Sequence, residues 1–123
     1  QMLAGQHLTI FGDGEQTRDF VNVSDVVQAN LKAAESRGVS GAFNIGSGTR
    51  ITINHLVTLL RDASGIQPDV LHGPPRPGDV RHSLADITAA STTIGFAPAV
   101  SMADGLVEYM AWARQETRRP PSA

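Results

Sequence analysis

Two segments of the chain carry side chains able to grip an anion. In the first, Gly12-Asp13-Gly14-Glu15-Gln16-Thr17-Arg18-Asp19-Phe20-Val21, an arginine follows closely on a glycine turn. A guanidinium there can fork onto phosphate oxygens with parallel N–H donors. The same residues also read as a plain hairpin, with Asp-Gly supplying positive φ and Arg18-Asp19 solvated. In the second segment, Pro75-Arg76-Pro77-Gly78-Asp79-Val80-Arg81, two prolines flank Arg76. An arginine on so restricted a backbone loses less freedom when it closes on a ligand. Asp79, acceptor-only when ionised, suits a pair of sugar hydroxyls. The plainer reading of this segment is a stiff surface loop with scattered charges. Sequence physics leaves both pairs of readings open.

The other reactive side chains point to structure. His7, His55, His72 and His82 lack metal-ligand spacing, and no cysteine helps them. They are expected on the surface, and no metal site is expected. Asp19 and Asp25 could form an acid pair, but Asp25 is better explained as a negative charge at a helix start. Gln16 could contact a ligand, but nothing in its spacing requires it. Gly46-Ser47-Gly48 supplies two glycines of a dinucleotide-binding turn, yet Ile51 stands where a third belongs. The fingerprint fails and the turn is read as structural. Tyr109, the one tyrosine, is read as packing, and Trp112 as an amphipathic-helix anchor.

The elements that must position these groups alternate between strand and helix, which makes the class α/β. Leu8–Phe11 reads as a strand stopped by Gly12-Asp13-Gly14, and Phe20–Val23 as a second. Ser24 is expected to cap a helix with Val27, Leu31 and Ala34 on its buried face. Ala42–Ile45 is a third strand candidate. Thr52 caps another helix, whose stripe is Ile53, Leu56, Val57, Leu60 and Ala63 and which ends at Gly65 before Pro68. Val70-Leu71 reads as a short strand and Ser83–Ala85 is ambiguous. Asp86 is expected to cap a helix closing at Gly95. Ser101 and Asp104 resemble a capping box for a last helix with Met102, Leu106, Met110 and Ala113 on its apolar face.

At 123 residues one domain is expected, large enough to bury a core. We expect it to span residues 1–116, with 117–123 a disordered tail. A net charge of −2 gives no basic stripe, so neither nucleic acid nor a membrane surface is an expected partner. The absence of cysteine excludes disulfides and thiolate catalysis. No apolar run approaches the roughly 20 residues of a membrane span, and the first residues lack the features of a signal peptide. The expected location is therefore cytoplasmic. Met2-Leu3-Ala4-Gly5 reads as the end of a helix with no cap before it, as in a protein cut mid-architecture.

Taken together, Phe11-Gly12-Asp13-Gly14-Glu15-Gln16-Thr17-Arg18-Asp19-Phe20-Val21, then Val23 and Asp25, resemble a signature of the extended short-chain dehydrogenase/reductases. The nearest branch is the UDP-glucose 4-epimerase-like nucleotide-sugar epimerases and dehydratases. Phe43-Asn44-Ile45-Gly46-Ser47-Gly48 is similar to their next strand and turn. Arg76-Pro77-Gly78-Asp79-Val80, Ala85-Asp86 and Ile94-Gly95-Phe96-Ala97-Pro98 follow in the family's order and spacing. The resemblance runs from about Leu3 to Arg114. It implies the carboxyl-terminal, substrate-binding portion of such an enzyme, with short strands, about four helices and the Rossmann half absent. It implies substrate-diphosphate contacts from Arg18 and Arg76, and a ribose contact from Asp79.

The departures from the family are as informative. The family's glycine-rich NAD turn and its Tyr-x-x-x-Lys pair are both missing, because Ala113 stands four residues after Tyr109. No catalytic and no cofactor-binding residue is therefore expected. NAD would belong to the full-length enzyme, and this chain alone would be inactive. The expected partners are a nucleotide sugar, most simply a UDP-sugar, and either a second copy or a separate Rossmann half. The alternative is a non-enzymatic remnant or protein-interaction module built on the same fold.

Overall fold

The computed structural model describes residues 1–118. Among these, four α-helices and two two-stranded sheets form a small α/β fold. A 3-10 turn, Met2–Ala4, opens the chain and ends at Gly5 with φ 68°. The strands are β1 (Leu8–Phe11), β2 (Thr17–Arg18), β3 (Ile51–Thr52) and β4 (Val70–Gly73). The helices are α1 (Val23–Glu35), α2 (Ile53–Ser64), α3 (Thr88–Ile94) and α4 (Met102–Arg118). Strand β1 pairs in parallel with β4, Leu8 opposite Val70 and Phe11 opposite Gly73. Strand β2 pairs antiparallel with β3, Thr17 opposite Thr52.

This pairing overturns the hairpin reading of residues 12–14. The turn does not return the chain along β1; it hands it to the other sheet. A parallel partner needs a long crossover, and β1 takes one through α1 and α2. The expected strand at Phe20–Val23 is also displaced: pairing falls on Thr17–Arg18, and Val23 already begins α1. The cap is accordingly Asn22, whose Oδ1 accepts from Ser24 N at 2.8 Å, and not Ser24. Ala42–Ile45 is not a strand, since no described strand lies beside it. Its Phe43 and Ile45 instead pack against the buried cluster of Ala29, Ala90, Ile94 and Phe96.

The face of α1 also differs from expectation. Val27 and Leu31 are about half exposed and Ala34 is exposed, while Asp25 and Ala29 are buried. The small Ala29 allows α3 to approach α1 closely, and no larger apolar side chain is needed there. The other helices follow their sequence signals. Thr52 Oγ1 accepts from His55 N at 3.0 Å at the start of α2, and Gly65 ends it with φ 69°. Val57 of α2 and Leu106 and Met110 of α4 are buried, and the two helices pack together. Arg114 of α4 donates to the Ser64 carbonyl at the end of α2, a cation placed at a helix carboxyl terminus.

Asp86 Oδ1 accepts from Thr88 N at 2.9 Å and so holds the first turn of α3, although Ile87 occupies the cap position itself. Ser101 Oγ accepts from Asp104 N at 3.1 Å, half of the expected capping box. In the other half, the shorter Asp104 side chain accepts from the Ser101 hydroxyl at 2.6 Å. Helix α4 runs through Arg118, two residues into the expected tail; 119–123 lie outside the described residues. No helix among the described residues is long and apolar enough to cross a membrane.

Candidate functional site

The site is assembled where the turn after β1 meets the loop after β4. Parallel pairing brings Phe11 beside Gly73, and Gly12 N donates to the Gly73 carbonyl at 3.0 Å. The two segments singled out by their chemistry therefore start from neighbouring strand ends. The proline-rich segment then folds as a tight turn. Asp79 N donates to the Arg76 carbonyl at 3.2 Å, with Pro77 and Gly78 in the middle and Gly78 at φ 80°. Proline second and a positive-φ glycine third are the requirements of a type II turn. This turn sets Arg76 and Asp79 at its two ends, near each other.

Beyond the turn, the loop is laced to β2. Thr17 N donates to the Arg81 carbonyl at 2.9 Å, and Ser83 N to the Thr17 carbonyl at 3.1 Å. Thr17 Oγ1 and His82 Nδ1 lie 3.0 Å apart. Arg81 grips Asp13 with both nitrogens, at 2.7 and 2.9 Å. That fork holds the Asp13 carboxyl down at about 2, and the Glu15 amide adds to it. Arg18 is paired with Asp79. The reading of Arg18 and Asp19 as solvated charges is thus overturned for both residues.

A cavity of about 440 Å³ lies over this junction, lined by Phe11, Gln16, Arg76, Asp79 and Arg81 among others. Arg76 and Asp79 border it directly, and Arg18 joins its rim through Asp79. The Arg76 guanidinium lies 3.8 Å from the centre of the Phe11 ring, a cation–π stack that fixes its position. All three residues picked out from sequence are therefore brought to one place. Sequence reasoning passed over two more, Phe11 and Arg81. The Arg81 signal was available, since a second arginine follows Asp79 by two residues.

The same geometry tests the Gly46-Ser47-Gly48 turn as a seat for NAD. The Asp19 carboxylate already fills it, accepting from Ser47 N at 2.7 Å, Ser47 Oγ at 2.6 Å and Gly48 N at 3.3 Å. Ala85 N donates to the same group at 3.3 Å. Partial burial pushes the Asp19 carboxyl up, and these bonds outweigh it and hold it below the usual range. Amides satisfied by an internal carboxylate cannot also cradle a pyrophosphate. This turn therefore offers no free amide cradle for the NAD pyrophosphate.

Asp25 is likewise structural, though not as a helix-start charge alone. It is 4% exposed and accepts from Ala99 N at 2.9 Å and Val100 N at 3.3 Å, pinning the strap between α3 and α4. The four histidines are exposed, as their spacing led us to expect. Tyr109 packs against Trp112 but is not buried. It and Trp112 are both 54% exposed, with ring centres 5.6 Å apart. They border a second cavity of about 610 Å³ with Phe20, Val23, Met102 and Leu106. That cavity is larger and mostly apolar, whereas Arg76 and Arg81 line the first. No group of three or more potential metal ligands occurs among the described residues.

Fold and cavity together define an α/β chain with a guanidinium-rimmed cleft suited to an anionic ligand. Comparison with known proteins narrows this. The family model described as "NAD dependent epimerase/dehydratase family" matches residues 1–46. UDP-glucose 4-epimerase of Mycolicibacterium smegmatis is 37% identical over 117 residues, covering 95% of this chain and 37% of that protein. The crystal structure of a Thermotoga maritima UDP-glucose 4-epimerase with UDP-glucose superposes with a TM-score of 0.88 at 44% identity, covering 94% of this chain and 37% of that one. UDP-glucuronic acid 4-epimerase from Bacillus cereus, in complex with UDP-glucuronic acid and NAD, gives a TM-score of 0.88 at 34% identity, over 94% of this chain and 38% of that one. Over nearly its whole length the chain is similar to proteins of the NAD-dependent epimerase/dehydratase kind, and it spans little more than a third of the length of these relatives.

Proposed function

We propose that this chain is the nucleotide-sugar-binding portion of an NAD-dependent sugar epimerase or dehydratase, with a UDP-sugar as ligand. Residues 1–116 act as one carboxyl-terminal binding unit. The observation that carries the reading is that Arg76 and Asp79 line one cleft, with Arg18 ion-paired to Asp79 at its edge. Arg18 and Arg76 contact the diphosphate, and Asp79 the ribose diol. Two guanidinium groups match a dianionic pyrophosphate, and a carboxylate matches a pair of hydroxyl donors. The resemblance to a structure holding UDP-glucose supports the same assignment.

In this reading NAD binding and hydride transfer belong to residues outside the chain, the Rossmann half of the family enzyme. The filled Gly46–Gly48 turn supports that, as does Ala113 where a lysine would be needed. Calorimetry with UDP-glucose tests the reading: binding is expected, weakened about tenfold or more by Arg18→Ala and by Arg76→Ala. No conversion of UDP-galactose with added NAD is expected. Wild type and both variants equally silent toward UDP-glucose would remove the nucleotide-sugar reading.

One observation favours a second reading, that of a protein-interaction module. Val23, Val27, Leu31, Tyr109 and Trp112 leave apolar surface uncovered on α1 and α4. Under this reading the chain sediments as a tight oligomer and ignores UDP-sugars.

A further inference from the structure

The stretch after β4 is hardly touched by the body of the fold. Every residue from Pro74 through Val80 is exposed, and no backbone hydrogen bond joins that stretch to the other described residues. Yet it carries Arg76 and Asp79, two of the three groups that the proposed function gives to the ligand. Three side-chain contacts hold it, all to residues between Phe11 and Arg18. Arg76 stacks on Phe11, Asp79 pairs with Arg18, and Arg81, just past the stretch, forks onto Asp13.

These contacts are not equivalent. Arg18, Arg76 and Asp79 are taken over by the ligand in the proposed complex, so binding loosens the first two contacts. The Asp13–Arg81 fork uses none of those residues. Its base is also firm. The Asp13 carbonyl accepts from Asn54 Nδ2 at 3.0 Å and the Gly14 carbonyl from Asn54 N at 3.1 Å, which ties the turn to the start of α2. The fit is close enough that a Cβ on Gly14 would lie 2.1 Å from Asn54 Oδ1. At side-chain exposures of 54% and 56% an ordinary ion pair contributes little, but a fork of two parallel bonds is the geometry that keeps its value. A loop ordered before the ligand arrives removes part of the entropy cost of binding.

We infer that Asp13 is a positioning residue: by way of Arg81 it straps the Pro74–Val80 stretch to the turn after β1 and presents Arg76 and Asp79 to the ligand. The ligand in this inference rests on the nucleotide-sugar reading, but the hold on the strap is measurable with no ligand present. The rival role, Arg81 as a direct phosphate contact, predicts the opposite sign for one variant. Removing the Asp13 charge would then free Arg81 and tighten binding of an anion.

The test has two arms on the intact chain. In the first, amide hydrogen exchange is followed by NMR without ligand in wild type, Asp13→Asn and Asp13→Glu. The Thr17 amide, which donates to the Arg81 carbonyl, and the Ser83 amide are expected to exchange about two- to fivefold faster in Asp13→Asn. Amides of Val57 and Leu106 should keep their wild-type rates, and Asp13→Glu should restore Thr17 and Ser83. In the second arm, calorimetry reads UDP-glucose affinity. Asp13→Asn and Arg81→Gln are each expected to weaken it about two- to fivefold, and the double variant no further, because both break one fork. Asp13→Glu should recover most of the loss. Unchanged Thr17 and Ser83 exchange in Asp13→Asn would overturn the strap. Exchange that rises equally at Val57 and Leu106 would overturn it too, since the fork would then only stabilise the fold. Equal or tighter UDP-glucose binding by Asp13→Asn would overturn the positioning role. If wild type ignores UDP-glucose, the nucleotide-sugar reading fails, and the exchange arm alone decides whether Asp13 holds the strap.

Discussion

Arg18 and Asp79, 61 residues apart in sequence, form an ion pair at the rim of the cleft. The carboxylate thus occupies the donors proposed for a phosphate and competes with it. Exposed pairs of this kind contribute up to about 1 kcal/mol. Asp79→Asn, which removes the charge and keeps the size, is expected to tighten inorganic pyrophosphate binding about two- to fivefold. Arg18→Ala should weaken it about tenfold or more. Calorimetry reads both. An unchanged pyrophosphate affinity in Asp79→Asn would mean that the carboxylate is no competitor.

Arg76 is held by stacking on Phe11, and it forms no ion pair with an acidic side chain among the described residues. Its charge is therefore available to a ligand while its position is fixed. Phe11→Leu keeps an apolar group and removes the aromatic face. We expect UDP affinity to fall about two- to fivefold, the size of an exposed cation–π contribution. Arg76→Lys should also lose affinity, because an ammonium lacks the flat fork that stacks and grips at once. Full UDP affinity in both variants would show that the stack does not position Arg76.

The Asp13–Arg81 bridge gives the cleft an acid limit. Asp13 has its carboxyl lowered from 3.8 to about 2 in the folded chain. On acidification the unfolded chain takes up this proton first. The contribution to stability is complete above about pH 4 and is lost as the pH falls toward about 2. Asp19 and Asp86, also lowered, act in the same direction. Urea unfolding midpoints measured from pH 6 to pH 2 should fall less steeply below pH 4 in Asp13→Asn than in wild type. Parallel slopes would mean that the bridge does not form in solution.

Gly46 is required by close approach. A Cβ there would meet Asp19 Oδ2 and the Ala85 Cβ, each at 2.6 Å. Gly46→Ala must push apart the carboxylate and the backbone it holds, and is expected to cost about 1–3 kcal/mol in denaturant unfolding. Asp19→Asn tests the other partner, since an amide cannot accept all four bonds as strongly as a carboxylate. Wild-type stability in both would remove Asp19 from its role as the organiser of that turn.

Local signals with a short physical range were legible from the residues alone. Thr52 before an apolar stripe, Gly65 and Gly95 at helix ends, and Ser101 with Asp104 each depend on groups within one turn of chain. The chemistry of Arg18, Arg76 and Asp79 was equally legible, because a guanidinium between prolines and a carboxylate beside a turn carry their donors and acceptors wherever they are placed. Periodicity misled where the partner was small or absent. On α1 the alternation of Val27 and Leu31 suggested a buried stripe, and the packing instead used Ala29. Ala42–Ile45 has the composition of a strand, but a strand requires a neighbour, and none of the described strands is beside it.

Sequence by itself determined the Thr52 cap, the helix ends at Gly65 and Gly95 and the stock of anion-gripping side chains, since each is a property of a few consecutive residues. Tertiary structure alone decided which of those side chains meet. The parallel pairing of β1 with β4 brings Phe11 beside Gly73 and so sets the Arg76 loop against the Arg18 segment. It also decided what Asp19 and Asp25 do, because their partners, at Ser47 and Ala85 and at Ala99 and Val100, lie 28 to 75 residues away. A carboxylate's pull on an amide is fixed by its chemistry, but which amide it reaches is fixed by the path of the chain.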